Sequence, residues 1–375
     1  MSFFNEIKKY DQQGLLERIL NKKPADVENA LHAERLSLDD FQALISPAAE
    51  KYLEPMAARA HEITLRRFGN NIQMYVPIYI SNECTNGCVY CGFNCSNDNV
   101  HRKTLSLEEI EEEALALHKN EFRHILVLTG EDADAIGNDG LVAAIRQIRP
   151  LFSSISLEVY PMDVEGYRQM VEAGVDGLTI YQETYDPVLY EKLHPYGRKR
   201  DYKWRLETPE RGGEAGLRRI GVGALLGLGN FYTETFFTGL HALFLAHRFW
   251  RTQVSVSFPR IRPAEGGFKP LFTVTDQQMV QGICAMRLLL PDAGLTLSTR
   301  ESARFRDNLI PLGITQMSAG SCTAPGGYSH QDEGTGQFNI DDDRSPEEIS
   351  RLIRAKGYEA VWKDWDAAFL EKKAS

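Results

Sequence analysis

Eight short β-rich runs, most of them separated by stretches of helical period, govern what this chain can fold into. The runs are Met74 to Ile80, His124 to Thr129, Ile155 to Tyr160, Gly177 to Tyr181, Arg219 to Leu226, Gln253 to Phe258, Leu295 to Ser298 and Gly313 to Met317. Intervals such as Leu107 to Asn120 and Val164 to Ala173 carry helical spacing. Strands that alternate with helices lie parallel, because each helix returns the chain to the starting edge of the sheet. Eight such units close into a (β/α)8 barrel of the TIM type, whose chemistry gathers at the C-terminal ends of the strands. A chain of 375 residues with 43% hydrophobic content accommodates one such barrel with helical N- and C-terminal extensions.

Polar or glycine-rich clusters stand at those strand ends. A cysteine loop follows the first run. The later ends are Thr129-Gly130-Glu131, Glu158-Val159-Tyr160-Pro161, Tyr181-Gln182-Glu183-Thr184-Tyr185, the GALLGLG stretch with Gly227, Ser257-Phe258-Pro259-Arg260, Ser298-Thr299-Arg300-Glu301 and Ser318-Ala319-Gly320-Ser321. One such cluster arises by chance; eight at the same topological place point to a shared barrel mouth. Each residue also has a purely structural reading. Glu131 suits a helix N-terminus, Arg260 and Arg300 suit surface ion pairs, and His241, inside the helical stretch GLHALFLAH, suits core packing. An arginine at a barrel mouth is nonetheless well shaped to grip a carboxylate at two points. The glycines of GVGALLGLG lack the Lys-Ser/Thr of a phosphate loop. They fit close approach of the backbone to a flat ligand such as adenine.

The first cluster is the most specific. Cys84, Cys88 and Cys91 stand as C-x3-C-x2-C in ECTNGCVYCGF, three thiols on one short loop. Structural zinc sites pair C-x2-C with a second, distant pair, whereas the distant Cys284 and Cys322 are single. Cys95 extends the run to a possible fourth ligand; the ferredoxin pattern has a shorter first gap and a proline after its last cysteine, where this chain has Ser96. Cys95 therefore reads as a bystander. Iron-sulfur clusters normally take four thiolates, so a [4Fe-4S] cluster held by three keeps one iron open.

Composition narrows the setting. A formal charge of −10 disfavours nucleic acid as a partner, although Arg198, Lys199, Arg200, Lys203 and Arg205 form a basic stretch that reads as a solvated loop. No apolar run reaches the ~18 residues of a membrane span, and MSFFNEIKKYDQQ lacks a secretory h-region. Six cysteines, three on one loop, argue against a disulfide framework and for a cytoplasmic location. Residues 1–71 read as a helical extension, 72–320 as the barrel and 321–375 as a C-terminal extension. In the first segment Ser37 and Asp40 form a weak capping box, and Ser46-Pro47 starts a helix that runs to Arg67, bent at Pro55. The acidic run Asp341-Asp342-Asp343 and the stretch from Ser345 read as a partner interface or a cap on the barrel.

The cysteine stretch resembles the radical S-adenosylmethionine (SAM) superfamily, whose open iron binds SAM. The ordered set CTNGCVYCGF, YQETY, HPYGRKRDYKWRLETPERGGEAG, GVGALLGLG, SVSFPRIRP, LSTRE and SAGSCTAPGGY resembles, over nearly the whole chain, the 2-iminoacetate synthase family of radical SAM tyrosine lyases in thiamine biosynthesis. The resemblance implies cleavage of the Cα–Cβ bond of L-tyrosine to 2-iminoacetate and p-cresol, with 5′-deoxyadenosine and methionine as co-products. It also implies thiazole synthase as protein partner and a low-potential electron donor. By the same resemblance Cys84, Cys88 and Cys91 hold the cluster, Thr129, Gly130 and Glu131 match the segment that meets the SAM amino group, Glu158 and Arg205 its ribose and carboxylate, Ser298 and Arg300 the segment that holds the tyrosine carboxylate, and His241 a histidine near the substrate. From their places near the strand ends, Tyr90 and Gly227 are read as further SAM contacts and Gln182 and Arg260 as further tyrosine contacts, with His241 and Arg300 as the catalytic candidates. Three other readings stay open: a hydrogenase-maturation tyrosine lyase, a tryptophan lyase, and a non-catalytic electron carrier with Cys95 as fourth ligand. The first of these carries a second cluster on a cysteine-rich C-terminal extension, and no cysteine follows Cys322 here.

Overall fold

The computed structural model describes residues 2–329 and 334–366. Its single sheet is parallel throughout and closes on itself: β1 (Asn71–Ser81), β2 (His124–Thr129), β3 (Ser154–Glu158), β4 (Gly177–Glu183), β5 (Arg219–Ala224), β6 (Gln253–Ser257), β7 (Gly294–Leu297) and β8 (Gln316–Ser318) pair in sequence order, and β8 returns to β1. The (β/α)8 barrel read from the alternation is thus the observed fold. The eighth strand starts later than its apolar run, because Gly313 (φ 113°) ends a 3-10 turn at Ile310–Leu312.

A ninth strand, β9 (Glu359–Val361), had no counterpart in the sequence reading. It pairs with Asn71–Gln73 at the start of β1, below the point at Val76 where β2 takes over the same edge. Three residues are too short for periodicity to mark them.

Side-chain alternation divides the strands between two environments. On β1, Ile72, Met74, Val76, Ile78 and Ile80 join the main apolar core under the helices. Gln73 and Tyr75 face the lumen instead, with Thr179, Tyr181, Ser255, Ser257, Thr296 and Gln316 around them. The lumen is therefore polar where such barrels more often carry branched aliphatic layers. Its floor is closed by the segment after β9: Gln73 Nε2 donates to Asp364 Oδ2 (2.6 Å), Arg219 approaches the same oxygen (3.2 Å), and His124 Nε2 lies 3.1 Å from Oδ1. Trp362 packs edge-on against Phe122.

The N-terminal segment is helical, as read. Ser37 and Asp40 form a full capping box, each side chain bonding the other's backbone N–H. In place of one helix bent at Pro55, Pro47–Tyr52 is a 3-10 helix and Leu53–Phe68 an α-helix whose first turn holds Pro55, where a missing N–H costs nothing. These helices pack on the barrel helices Phe231–Arg248 and Asp276–Leu289; buried Gln281 clamps them by donating to Leu44 O (2.9 Å) and Ser46 O (2.7 Å).

Candidate active site at the barrel mouth

The loop after β1 is held in shape before any ligand is considered. Arg102 braces it from within, donating to the carbonyls of Asn82 (2.6 Å), Phe93 (3.0 Å) and Asn94 (2.8 Å). Neighbouring strand ends tie it down through Thr85 N to Glu131 O (3.0 Å) and Val89 N to Leu193 O (3.2 Å). Gly130 is required by this contact, since a Cβ there would stand 2.1 Å from Glu83 O.

Cys84, Cys88 and Cys91 line one cavity, together with Thr129, Gly130, Glu131, Glu158, Glu183, Lys199, Arg205 and Gln337. Cys95 is exposed and outside that lining; its N–H bonds back to Asn86 O (3.1 Å). Burial pushes the Cys88 thiol up to about 12 and raises Cys91, while Lys199 pulls both down. Ligation requires the thiolate, so these sulfurs would have to give up their protons as iron binds. Two amide N–H groups already face them: Asn86 Nδ2 lies 3.8 Å from Cys84 Sγ, and Gln337 Nε2 lies 3.8 Å from Cys91 Sγ. Three thiols on the wall of one cavity are the donor type that iron-sulfur clusters take.

A second cavity adjoins the first and shares Cys91, Glu158, Glu183, Lys199 and Gln337 with it. Its remaining walls are Tyr90, Tyr181, Leu225, Ile261, Arg262, Arg300 and Phe338. Tyr90 is oriented by a hydrogen bond between its hydroxyl and His194 Nε2 (2.8 Å). Arg300 stacks on Phe338, 3.3 Å from the ring centroid, and no salt bridge holds it among the described residues. It is a cation with free donors at the mouth of the barrel.

Charge is distributed around the junction of the cavities. Glu183, a non-glycine residue at φ 71°, lies at a break in the β4–β5 register. That conformation is costly and turns its carboxylate to Lys199 Nζ (2.7 Å) and Arg205 (3.1 Å). Burial pushes the Glu183 carboxyl up, but Lys199 and Arg205 outweigh it and leave it below its ordinary value. Arg205 also donates to Tyr181 O (2.8 Å). Glu158 is raised to about 7 by burial, against the pull of Arg300, so it exists in both protonation states near neutrality. Lys199 and Arg205 face Glu183, Arg262 is shared by Glu301 and Asp341, and Arg300 is the cation of the second cavity left to meet a ligand's carboxylate.

Several residues singled out from sequence lie elsewhere. His241 sits on the helix Phe231–Arg248 in the outer layer, its ring stacked on Phe3 (3.9 Å, 3° between planes) and bonded to Tyr185 through Nδ1 (3.1 Å). That is the packed histidine of the structural reading, not a group at the mouth. Arg260 is consumed by Glu301 (Nε to Oε1, 2.8 Å) and Asp276 (2.8 Å), while Arg262 lines the cavity. Residues two apart on an extended segment share a side, and both arginines of SVSFPRIRP reach Glu301; Arg260 is held there and by Asp276, while Arg262, 3.3 Å from Glu301 and Asp341, also lines the cavity. Gln182 is buried with both amide atoms unpartnered and lies outside both cavities, between Tyr181 and Glu183, which line them. Gly227 (φ 109°) is a turn whose carbonyl accepts from Leu271 N (2.9 Å) and Phe272 N (3.0 Å), outside both cavity linings. Ser298 Oγ accepts weakly from Arg300 N (3.5 Å) and supports the turn beside the cavity.

Sequence reasoning missed Lys199, Arg262, Gln337 and Phe338. The basic stretch read as a solvated loop divides: Arg198, Arg200 and Lys203 are exposed, but Lys199 and Arg205 turn inward. Gln337 and Phe338 lie beyond the expected end of the barrel. They belong to a strap that crosses its mouth, anchored by Gln337 N to Thr323 O (3.0 Å), Gly92 N to Gln337 O (3.2 Å) and the N–H groups of Asp341 and Asp342 to Thr299 O.

Residues 78–236 match the model of the radical SAM superfamily, and residues 257–359 match the biotin and thiamin synthesis associated domain. A 2-iminoacetate synthase of Salmonella typhimurium is 47% identical over 351 residues, 93% of each chain. One from Escherichia coli is 44% identical over 98% of this chain and 97% of its own. This chain belongs to the 2-iminoacetate synthase family. Family members are radical SAM lyases, and membership implies a [4Fe-4S] cluster and SAM. Among solved structures, HydG, a maturase of the [FeFe]-hydrogenase, superposes with a TM-score of 0.84 at 32% identity, covering 96% of this chain and 78% of its own. Methylornithine synthase shares the fold (TM-score 0.74, 22% identity, 90% of this chain and 97% of its own).

Proposed function

We propose that the chain cleaves the Cα–Cβ bond of L-tyrosine, yielding 2-iminoacetate and p-cresol with 5′-deoxyadenosine and methionine, and passes the imine to thiazole synthase in the cytoplasm. The observation that carries this reading is the second cavity: an unpaired arginine, Arg300, and an aromatic wall of Tyr90, Tyr181 and Phe338 beside the cysteine pocket. An aromatic amino acid needs both, a two-point cation for its carboxylate and flat apolar faces for its ring.

Cys84, Cys88 and Cys91 would hold the [4Fe-4S] cluster. Bound with SAM and given one electron from a low-potential donor, it supplies a 5′-deoxyadenosyl radical. The protein's own task is placement. Arg300, with Ser298 supporting its turn, grips the tyrosine carboxylate, and Arg262, paired with Glu301 and Asp341, walls the cavity. Thr129, Gly130 and Glu131 border the cysteine pocket on the side suited to the SAM amino group, with Glu131 Oε2 fixed by Asn86 (2.7 Å). Glu158 and Arg205 serve the SAM ribose and carboxylate. Placement of this kind is a large share of what a site contributes to a reaction between held partners, and the strap over the mouth keeps solvent from a reactive intermediate. Residues 1–71, 72–320 and 321–375 are read as parts of one catalytic unit, since the last segment contributes Gln337 and Phe338 to the site. No helix among the described residues is long and apolar enough to cross a membrane.

Anaerobic reconstitution with iron and sulfide, followed by SAM, reductant and tyrosine, tests the reading. Tyrosine-dependent 5′-deoxyadenosine and p-cresol are expected. A loaded cluster that yields neither, or that releases 3-methylindole from tryptophan instead, would overturn it.

A further inference from the structure

We propose that Gln337 is a positioning residue for the redox centre: its side-chain amide, locked by Tyr79, donates a hydrogen bond to the Cys91 sulfur and raises the reduction potential of the cluster. The proposal rests on the reading that the three cysteines hold iron and sulfide.

Four contacts fix Gln337. Its backbone N–H donates to Thr323 O (3.0 Å) and its carbonyl accepts from Gly92 N (3.2 Å), so the strap is bonded directly to the cysteine loop. A Cβ at Gly92 would lie 2.6 Å from that carbonyl, which keeps the position to glycine. In the side chain, Oε1 accepts from the Tyr79 hydroxyl (2.9 Å) and Nε2 points to Cys91 Sγ (3.8 Å). Tyr79 is itself buried in a small cluster with Phe93, Leu126 and Leu128, with Cys84 and Cys91 packed against it, and meets Phe93 edge-on. A ligating thiolate can only accept, so the amide must present its NH2 to the sulfur and its oxygen to the tyrosine. The alternative orientation would set an oxygen lone pair against the thiolate.

The electrical consequence follows from where charge goes. Reduction places additional negative charge on the iron-sulfur unit and its thiolates, and a donor aimed at sulfur stabilises the reduced form more than the oxidised one. A roughly tenfold difference between the two oxidation states is the expected size and corresponds to ~59 mV for a one-electron couple.

The test is a potentiometric titration of reconstituted protein, followed by electron paramagnetic resonance, on the wild type, Gln337→Leu and Tyr79→Phe, each with its iron and sulfide content measured. Gln337→Leu should keep full iron and shift the reduction equilibrium about tenfold toward the oxidised form. Tyr79→Phe should shift it in the same direction by less, because the amide remains but is no longer oriented. An unchanged midpoint in fully loaded Gln337→Leu overturns the proposal. If that variant loads poorly, Tyr79→Phe decides: an unshifted midpoint there also overturns it. Failure of the wild type to take up iron would instead sink the cluster reading.

Discussion

His241 provides a sharp test of the site assignment, because its two readings predict opposite outcomes. The ring is 2% exposed, stacked on Phe3, with Nε2 lacking any partner. Burial lowers it from its ordinary 6.5 to about 3. The folded protein thus resists a proton that the unfolded chain accepts. Stability from this source is complete above pH 6.5 and drains as pH falls from there toward 3. Between pH 7 and pH 5 the loss is about 2 kcal/mol for a shift of this size. His241→Phe keeps the stack and removes the titration, at a cost of ~1 kcal/mol at neutral pH for the Tyr185 hydroxyl left without its partner. Urea unfolding of wild type and variant at pH 7 and pH 5 isolates the effect, since His194, also lowered to about 3 by burial and Lys199, is common to both. The variant should lose about 2 kcal/mol less than wild type on acidification and retain p-cresol formation. Equal losses in the two proteins, or loss of turnover in a folded, iron-loaded variant, would refute the packing role.

Other substitutions separate the remaining assignments. Cys88→Ala should abolish both iron binding and activity, whereas Cys95→Ala should leave both intact; iron analysis of the reconstituted proteins decides. Arg300→Lys, which keeps charge but loses the two-point fork, should lower kcat/KM for tyrosine roughly 10–150-fold, the equivalent of ~1.5–3 kcal/mol. Arg260→Met should act on stability instead: Glu301, 1% exposed, would lose its two-point partner and keep only Arg262 at 3.3 Å, at ~1–3 kcal/mol, seen as an earlier urea midpoint. Asp364→Ala opens the barrel floor beside Arg219 and His124 and should lower the melting temperature through loss of ~1–3 kcal/mol of charge-assisted bonding.

Local order was readable in the chain; long-range convergence was not. The strands announced themselves because alternation and apolar runs are properties of five to ten neighbouring residues, and the cysteine loop because its ligands are sequence neighbours. Choosing among polar residues at a strand end was harder. Arg260 and Arg262 are equally plausible on paper, and only their distant partners, Asp276 for the first and Asp341 for the second, separate them. Lys199 was indistinguishable from Arg198 and Arg200 until Glu183, folded back at positive φ, supplied its partner. Gln337 carries no local signal at all, since its role depends on a tyrosine 258 positions away and on a strap whose path only tertiary contacts define.

The same stretch of chain seals both ends of the barrel. Residues 335–342 cross the mouth, and Asp364, just beyond β9, blocks the floor. Both come after β8, the last strand needed to close the cylinder. During synthesis, at roughly 5–20 residues per second, the cysteine loop is therefore made on the order of tens of seconds before its cover. Both seals are thus the last parts of the barrel to be made, and a chain cut short after β8 would keep the cysteine loop and lose both covers.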